Sequence, residues 1–83
     1  MSGTYRERLQ LWVREALGKL GGEGFVNEVA RQIWLDHEND LRQEGEHFFS
    51  WQYDMRWAAQ QLRETGKAGL KKKTGKSVWF LRQ

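Results

Sequence analysis

The sequence contains neither cysteine nor proline, and the first of these absences excludes several kinds of protein. Without cysteine there is no disulfide framework and no thiolate nucleophile, a composition that fits a reducing cytoplasm. No apolar run approaches the roughly 20 residues that cross a membrane. The N-terminal segment also lacks the apolar stretch of a signal peptide. We therefore expect a soluble, cytoplasmic protein with no membrane partner.

Side chains that support catalysis or metal binding are also scarce. The two histidines, His37 and His47, have no third ligand at a metal-binding spacing. His37 lies between Asp36 and Glu38, but neighbours on a helix point apart, so we interpret it as a packed residue of the inner helix face. The glycines within residues 21–24 are not followed by the Lys-Ser or Lys-Thr pair of a phosphate-binding loop. We expect no enzymatic activity, no cofactor and no metal.

Aromatic residues are well represented by contrast. A chain of 83 residues makes one domain, 1–83, and one so short buries only about 60–65% of the surface that its unfolded form exposes. Each buried aromatic side chain removes roughly 150–250 Å² from water, which helps to stabilise a thin core. The five tryptophans are spread over the predicted elements: Trp12, Trp34, Trp51, Trp57 and Trp79. This distribution predicts one shared core rather than a surface patch.

The net charge of +3 conceals a strong asymmetry along the chain. Residues 1–22 carry a net charge of +2, residues 23–48 carry −5, and residues 49–83 carry +6. One acidic and one basic region give the molecule an oriented field, and the basic side should face a polyanion. The alternative is a solvated, charge-balanced surface, because lysine-rich hairpin tips also occur on proteins that bind no nucleic acid.

Helical periodicity begins near the N-terminus and predicts a first helix over residues 4–20. Thr4 has the position of an N-cap, and Glu7 follows at the spacing of a capping box. Gly21 or Gly22 supplies the left-handed residue that ends the helix. The apolar positions form one stripe: Tyr5, Leu9, Trp12, Val13, Ala16, Leu17 and Leu20.

A second helix follows a short segment, 23–26, that could add an edge strand. Asn27 is its predicted N-cap. We expect the helix to fray over residues 40–46, which are mostly polar, and Leu35 to be exposed on its outer face. Its inner face comprises Val29, Ala30, Ile33, Trp34, His37 and Leu41.

The last third of the chain predicts a helix over 50–65 and a hairpin over 67–82. Ser50 is the expected N-cap, and Gly66 the stop. The hairpin arms are residues 68–70 and 77–81, and Gly75 suits the positive φ of a tight turn between them. The inner stripe of the helix is Trp51, Met55, Ala58 and Leu62, with Ala59 beside it.

Taken together, the elements predict a mainly helical α+β fold, a winged helix-turn-helix with three helices and a C-terminal β-hairpin wing. The structural alternative is a three-helix bundle with a frayed basic tail. The apolar run 78–81 favours the hairpin, because a free tail would not need it.

Residues 48–81 resemble a known family. The anchors Trp51, the run 53–59, Leu62-Arg63, Gly66 and Val78-Trp79 are similar to those of the winged helix at the N-terminus of Mrr-type restriction endonucleases. They also resemble small stand-alone bacterial proteins of unknown function. The resemblance implies a DNA-contacting or regulatory module. Nothing like a nuclease domain follows these residues, so we expect no cleavage activity to carry over.

Binding of double-stranded DNA is the function that these features favour. Helix 50–65 would be the recognition helix, because the second helix of the paired motif enters the major groove. Arg and Gln side chains there can bond guanine and adenine bidentately, while Arg63, Lys67 and the hairpin lysines would meet phosphates or the minor groove. The predicted residues are Gln52, Tyr53, Arg56, Gln60, Arg63, Lys67, Lys71, Lys72, Lys73 and Lys76.

Two alternatives stay open at this point. Arg56 and Arg63 also fit a solvated helix face, and Tyr53 and Trp57 more commonly pack in a core than stack on bases. Winged helices also serve as protein-interaction or dimerisation modules, for which the acidic segment 36–46 and an exposed Leu35 or Trp57 would form the contact. RNA is a further possible target.

Overall fold

The computed structural model describes residues 3–82. Its helices are α1 (Tyr5–Lys19), α2 (Val26–Arg42) and α3 (Trp51–Glu64), and its strands are β1 (Glu23–Phe25), β2 (Ala68–Lys73) and β3 (Lys76–Leu81). A short 3₁₀ helix, Gly45–Phe49, connects α2 to α3. This order gives a mainly helical α+β fold with the layout of a winged helix-turn-helix, as predicted.

The first helix has the predicted ends. The Thr4 hydroxyl accepts the Glu7 backbone N–H at 3.2 Å, and the Glu7 carboxylate accepts the Thr4 N–H at 2.9 Å. Gly21 and Gly22 have φ values of 90° and 104°, which an L side chain rarely adopts. The Gly22 N–H donates to the Leu17 carbonyl at 2.8 Å, so the turn satisfies a carbonyl that the helix leaves free.

The start and end of α2 differ from the prediction. Asn27 does not cap the helix, which already begins at Val26; instead the Glu28 carboxylate accepts the Phe25 N–H at 2.9 Å. Strand β1 runs directly into α2, so pairing of the strand decides where the helix starts. The helix ends within the stretch 40–46 where fraying was expected, but residues 40–42 stay helical, because the fully buried Leu41 holds the last turn against the core.

The start of α3 is joined to α1 by a shared carboxylate. The Ser50 hydroxyl donates to Asp54 Oδ2 at 3.0 Å. Ser50 therefore precedes the helix but, contrary to the prediction, its side chain does not cap a backbone N–H. The Tyr5 hydroxyl donates to the same oxygen at 2.9 Å. Burial and the neighbouring Asp54 raise the pKa of Tyr5 above its ordinary value, which keeps this donor protonated.

The sheet has the strand order β1-β3-β2, and both pairings are antiparallel. Lys73 lies opposite Lys76 across a two-residue turn, in which Thr74 and Gly75 have φ values of 49° and 80°. Two positive φ values are the geometry of a type I′ hairpin turn. The predicted hairpin is therefore present, and the alternative of a frayed tail is wrong.

The core lies between the helices and one face of the sheet. Opposite residues of antiparallel strands share a face, so Trp79 and Leu81 point with Ala68 toward the helices. Trp51 and Trp79 are each only 4% exposed, and Trp34 and Trp57 pack against the same cluster. The cluster contains Leu9, Trp12, Val13, Ala16, Leu17, Val29, Ile33, Leu41, Trp51, Met55, Ala58, Ala59, Leu62, Ala68 and Trp79. One core shared by all five tryptophans is confirmed.

Candidate nucleic-acid interface

The outer face of α3 carries a straight stripe of long polar side chains. Gln52, Arg56, Gln60 and Arg63 are all exposed, at spacings of four, four and three residues that align them along one side of the helix. Within residues 3–82 neither arginine forms an ion pair, and the Gln60 amide donates to the Glu64 carboxylate at 3.2 Å. The stripe therefore offers two uncommitted cations and the Gln52 amide to a ligand, while the Gln60 amide is bound to Glu64.

Tyr53 and Trp57 have different environments, although core packing was the alternative considered for both. Trp57 is partly buried against the core, and the Arg6 guanidinium lies 4.3 Å from the centre of its ring. Tyr53 is 79% exposed, so the alternative of core packing is wrong for this residue. The reason is the position of α1, which covers the part of α3 that carries Trp57. Tyr53, one turn earlier, lies beside the first turn of α2 and stays exposed.

The first turn of α2 lies between the helix stripe and the hairpin. Asn27 lines a shallow hollow with Gln52, Tyr53 and Arg56 on one side. It also lines a second hollow, with Lys76 and Ser77, on the other side. Because one residue borders both hollows, the amino-terminal half of α3, the start of α2 and the hairpin turn form a continuous surface, which we call the helix-wing face.

The structure separates the hairpin lysines into two pairs. Lys72 shares its side of the sheet with Ser77, and the Lys72 Nζ lies 3.2 Å from the Ser77 hydroxyl. Lys76 lies next to the turn, beside α2. Lys71 and Lys73 point to the opposite face from Lys72, and Lys76 shares that face because it lies directly opposite Lys73. Lys71 and Lys73 both bind the carboxylate of Glu23, Lys71 at a distance of 2.6 Å. Lys72 and Lys76 form no ion pair within residues 3–82, so this pair is directly available to a ligand.

Glu23 reaches these lysines across the central strand. It pairs with Phe80 of β3, and Lys71 on the far strand lies on the same face. Hydrogen bonds from Lys71 and Lys73 lower the pKa of the Glu23 carboxyl to about 2. The carboxylate is thus fully charged at neutral pH and neutralises part of the cationic hairpin.

Lys67 and Arg63 lie toward the other end of the surface. The Lys67 carbonyl accepts the Arg82 N–H at 3.1 Å, so Lys67 marks the base of the hairpin. Lys73 lies six positions further along the chain, about 20 Å away at 3.3 Å per residue. All the predicted binding residues are exposed, but they span the length of the hairpin rather than one cluster.

Sequence reasoning did not identify three residues that shape this surface. Asn27 was predicted to be a helix cap, and no partner was predicted for Glu23 and no role for Phe49. Phe49 is 89% exposed in the 3₁₀ helix before α3. The alternation of β1 could have placed Glu23 on a sheet face, but its two partners depend on the strand order.

The histidines are engaged in aromatic stacking. The His37 ring lies 4.2 Å from that of Trp12, and its nitrogens are 3.1 Å from Asp40 Oδ2 and 3.2 Å from Glu15 Oε1. The His47 ring stacks on Tyr5 at 4.0 Å. His37 is thus packed on α1 as expected, although its backbone departs from helical geometry at φ −132°. Among residues 3–82 no three histidine or carboxylate side chains converge as metal ligands would.

Comparison with protein-family models, curated proteins and solved structures finds no match to this chain. The resemblance of residues 48–81 to Mrr-type winged helices stays a prediction. Within residues 3–82, no helix has the length and apolar content that crossing a bilayer requires.

Proposed function

We propose that this protein binds double-stranded DNA, with α3 in the major groove and the β2–β3 turn against the neighbouring backbone. The observation that carries this proposal is the position of Asn27, which borders both Arg56 of α3 and Lys76 of the turn. A duplex that meets one of these groups therefore meets the other. Helix and wing act as one surface, which is the arrangement that groove binding requires.

The side chains on this surface have the chemistry for both kinds of DNA contact. Arg56 and Gln52 project from the first half of α3, where base edges are reached, and can make bidentate bonds to guanine and adenine. Lys72 and Lys76 supply charge for phosphates. The Glu28 carboxylate occupies the start of α2, so contact there would involve the Asn27 side chain rather than free backbone amides.

The distribution of acidic residues supports the same orientation. Two carboxylates of the acidic segment 36–46 are paired with α1: Lys19 binds Asp36 at 2.9 Å, and Arg8 binds Glu44. A third, Glu38, binds Arg42 within α2. From Asn27 to Asp40 the helix extends about 20 Å at 1.5 Å per residue. The acidic segment therefore lies away from the helix-wing face and would orient the molecule on a polyanion.

Salt dependence is the first test of DNA binding. If about four phosphates are neutralised, affinity for a mixed-sequence duplex should fall roughly 10²-fold between about 50 and 200 mM salt. Fluorescence anisotropy of a labelled duplex measures this slope. Absence of binding at the lower salt concentration would refute the proposal.

Matched variants assign the contacts. Replacing Lys71, Lys72 and Lys73 together with Ala should weaken binding to all sequences. Arg56→Ala should cost roughly 1–3 kcal/mol at the preferred sequence and alter the preference among sequences. Arg14→Ala is its control, because Arg14 is an exposed arginine of α1 that lies beside Leu81 and Arg82 instead. Equal losses for Arg56→Ala and Arg14→Ala would show that α3 does not read bases.

The alternative is a winged helix that binds a protein or forms a dimer. It is favoured by exposed apolar side chains, with Leu35 65% and Phe49 89% exposed. Binding or self-association would then survive loss of the hairpin lysines and fail when Leu35 is made polar. Sedimentation velocity of the folded Leu35→Ser variant, with circular dichroism to confirm folding, distinguishes the two functions.

A further inference from the structure

An aromatic groove lies next to the helix-wing face and shares only Ala30 and Gln52, among the described residues, with the hollow that contains Arg56. It has a volume of about 540 Å³ and is open to solvent along one side. Its principal walls are Arg31 and Trp34 of α2, Phe48 and Phe49 of the 3₁₀ helix, and Trp51 and Gln52 of α3. We call this feature the aromatic groove.

The aromatic side chains of the groove support one another but leave a ring exposed. Phe48 lies edge-on to Phe49, with ring centres 5.3 Å apart, and 6.2 Å from Trp34. Trp34 in turn lies nearly parallel to Trp51, which is buried in the core. Phe49 is thus attached to a rigid aromatic base while its own ring faces solvent, a position that core packing does not explain.

The charges at the groove are positive. Arg31 is exposed on its wall and forms no ion pair within residues 3–82. The Arg42 guanidinium lies 5.2 Å from the centre of the Trp34 ring and 5.8 Å from that of Phe48, but its Nε donates to Glu38 Oε2 at 2.9 Å. Within the described part of the chain, Arg31 is therefore the cation at the groove that is free for a ligand. None of the described residues that line the groove is acidic. An anionic ligand with flat, apolar surfaces complements this combination.

The groove is continuous with the proposed duplex-binding surface. Ala30 and Gln52 line both the aromatic groove and the hollow that contains Arg56. A strand that leaves the end of a duplex bound on α3 could therefore enter the groove directly. This continuity links the groove to the same polyanion as the helix-wing face.

We propose that the aromatic groove binds unpaired bases of a single strand that extends from the bound duplex. The inference rests on the proposed DNA binding and names its preferred ligand, a junction between duplex and single strand. Bases would stack on Phe49 and Trp34, and Arg31 would meet the phosphate between them, as in single-strand-binding proteins that combine aromatic platforms with cations. An isologous dimer is less well matched, because it would bring the uncommitted Arg31 side chains of two copies to one interface.

The test compares a blunt duplex of about 20 base pairs with the same duplex carrying a single-stranded extension of about five nucleotides, by anisotropy at one salt concentration. The wild-type protein should bind the extended duplex at least about fivefold more tightly, the lower end of what one stacked base contributes. Phe49→Ala and Phe49→Leu should both abolish this preference and leave blunt-duplex affinity unchanged. The matched control is Leu35→Ala, an exposed apolar side chain of α2 outside the groove, which should change neither affinity.

The outcomes separate this inference from the proposed function. Equal affinity for the two ligands, with blunt duplex bound, overturns the inference alone. Binding of the extended ligand without binding of blunt duplex overturns duplex recognition and supports the groove. Loss of the preference in Leu35→Ala shows that the preference does not depend on the groove and overturns the inference. A dimer in sedimentation that Phe49→Ala dissociates shows that the groove contacts protein and also overturns it. Failure to bind either ligand overturns both.

Discussion

Glu23 limits the effect of the hairpin lysines through a contact within the chain. Its carboxylate binds both Lys71 and Lys73, whose cations would otherwise be free for phosphates. A phosphate that approaches either lysine has to compete with this carboxylate. Lys72 and Lys76, which do not contact Glu23, should therefore make the first electrostatic contacts of the hairpin.

Removing the Glu23 charge should strengthen DNA binding. In Glu23→Gln, Lys71 and Lys73 lose their carboxylate partner, and affinity for a duplex at low salt should rise by up to about fivefold, the upper end for an exposed ion pair of about 1 kcal/mol. Glu46→Gln makes the same change in net charge at an exposed residue of the 3₁₀ helix and is the control. If both variants gain equally in an anisotropy titration, net charge and not the Glu23 contact determines the effect.

The same contact predicts a pH dependence of stability. The pKa of Glu23 falls from an ordinary value of 4.5 to about 2 in the folded protein. A lowered pKa stabilises the fold fully above the unfolded value, and this stabilisation is lost as the pH falls through the folded value. The melting temperature of the wild type should thus exceed that of Glu23→Gln above about pH 5 and converge with it between 4.5 and 2. Thermal melts by circular dichroism measure the melting temperatures of both proteins. A constant difference between them down to pH 2 would contradict the assignment of this pH dependence to Glu23.

The hairpin is stabilised on its outer face by an aromatic ring that covers a glycine. Gly69 lies directly opposite Phe80, and a Cβ built on it would lie 2.7 Å from the Phe80 Cε1 atom. Lys71 Nζ and the Arg82 guanidinium carbon each lie 5.4 Å from the centre of the same ring. The glycine permits the ring to lie flat on the strand, where it supports the base of the wing.

Gly69→Ala should therefore destabilise the protein by about 1–3 kcal/mol, the usual cost of overpacking. Gly18→Ala is the matched control, because a Cβ at Gly18 has no neighbour within 4 Å and the residue lies in α1. That control should stabilise the protein by about 0.5–1 kcal/mol, since alanine is the better helix former. Chemical denaturation followed by circular dichroism measures both, and a neutral Gly69→Ala would show that Phe80 moves aside freely.

Across the molecule, the tryptophans connect all the helices to the sheet. Trp12 belongs to α1, Trp51 to α3 and Trp79 to β3, and each is at most 5% exposed. The position of the wing relative to α3 thus depends on the same buried cluster that stabilises the fold. Loss of one of these rings should affect stability and the helix-wing face together.

Trp51→Ala and Trp79→Ala should each cost roughly 3–5 kcal/mol, a large share of the 5–15 kcal/mol typical of a whole domain. Tyr53→Ala, which removes an exposed aromatic side chain of α3, is the control and should change stability by less than about 0.5 kcal/mol. Denaturant midpoints are measured by circular dichroism, because removing a tryptophan changes the fluorescence signal itself. Near-native midpoints for both tryptophan variants would show that the wing does not depend on the core.

Local patterns were sufficient to predict the elements of this protein. The capping box at Thr4, the stop at Gly66 and the tight turn at Gly75 were each predicted, because each depends on residues within a few positions of one another. The inner stripes of all three helices also follow from their periodicity, since apolar side chains must be buried on one side. The cap at Asn27 was wrong because strand pairing, which lies outside the local sequence, sets the start of α2.

Composition and periodicity determined that this chain folds as a winged helix with a cationic hairpin, because burial of apolar stripes leaves few arrangements for so short a chain. The tertiary structure decided which cations are free. Glu23 lies 48 residues from Lys71 in the chain, and only the strand order β1-β3-β2 brings them together. The tertiary structure also decided that Asn27 lies between α3 and the hairpin and that Phe49 borders the aromatic groove. The interactions of charged and aromatic side chains depend on their distances in space. Spacing along the sequence specifies such distances only within a single helix or strand.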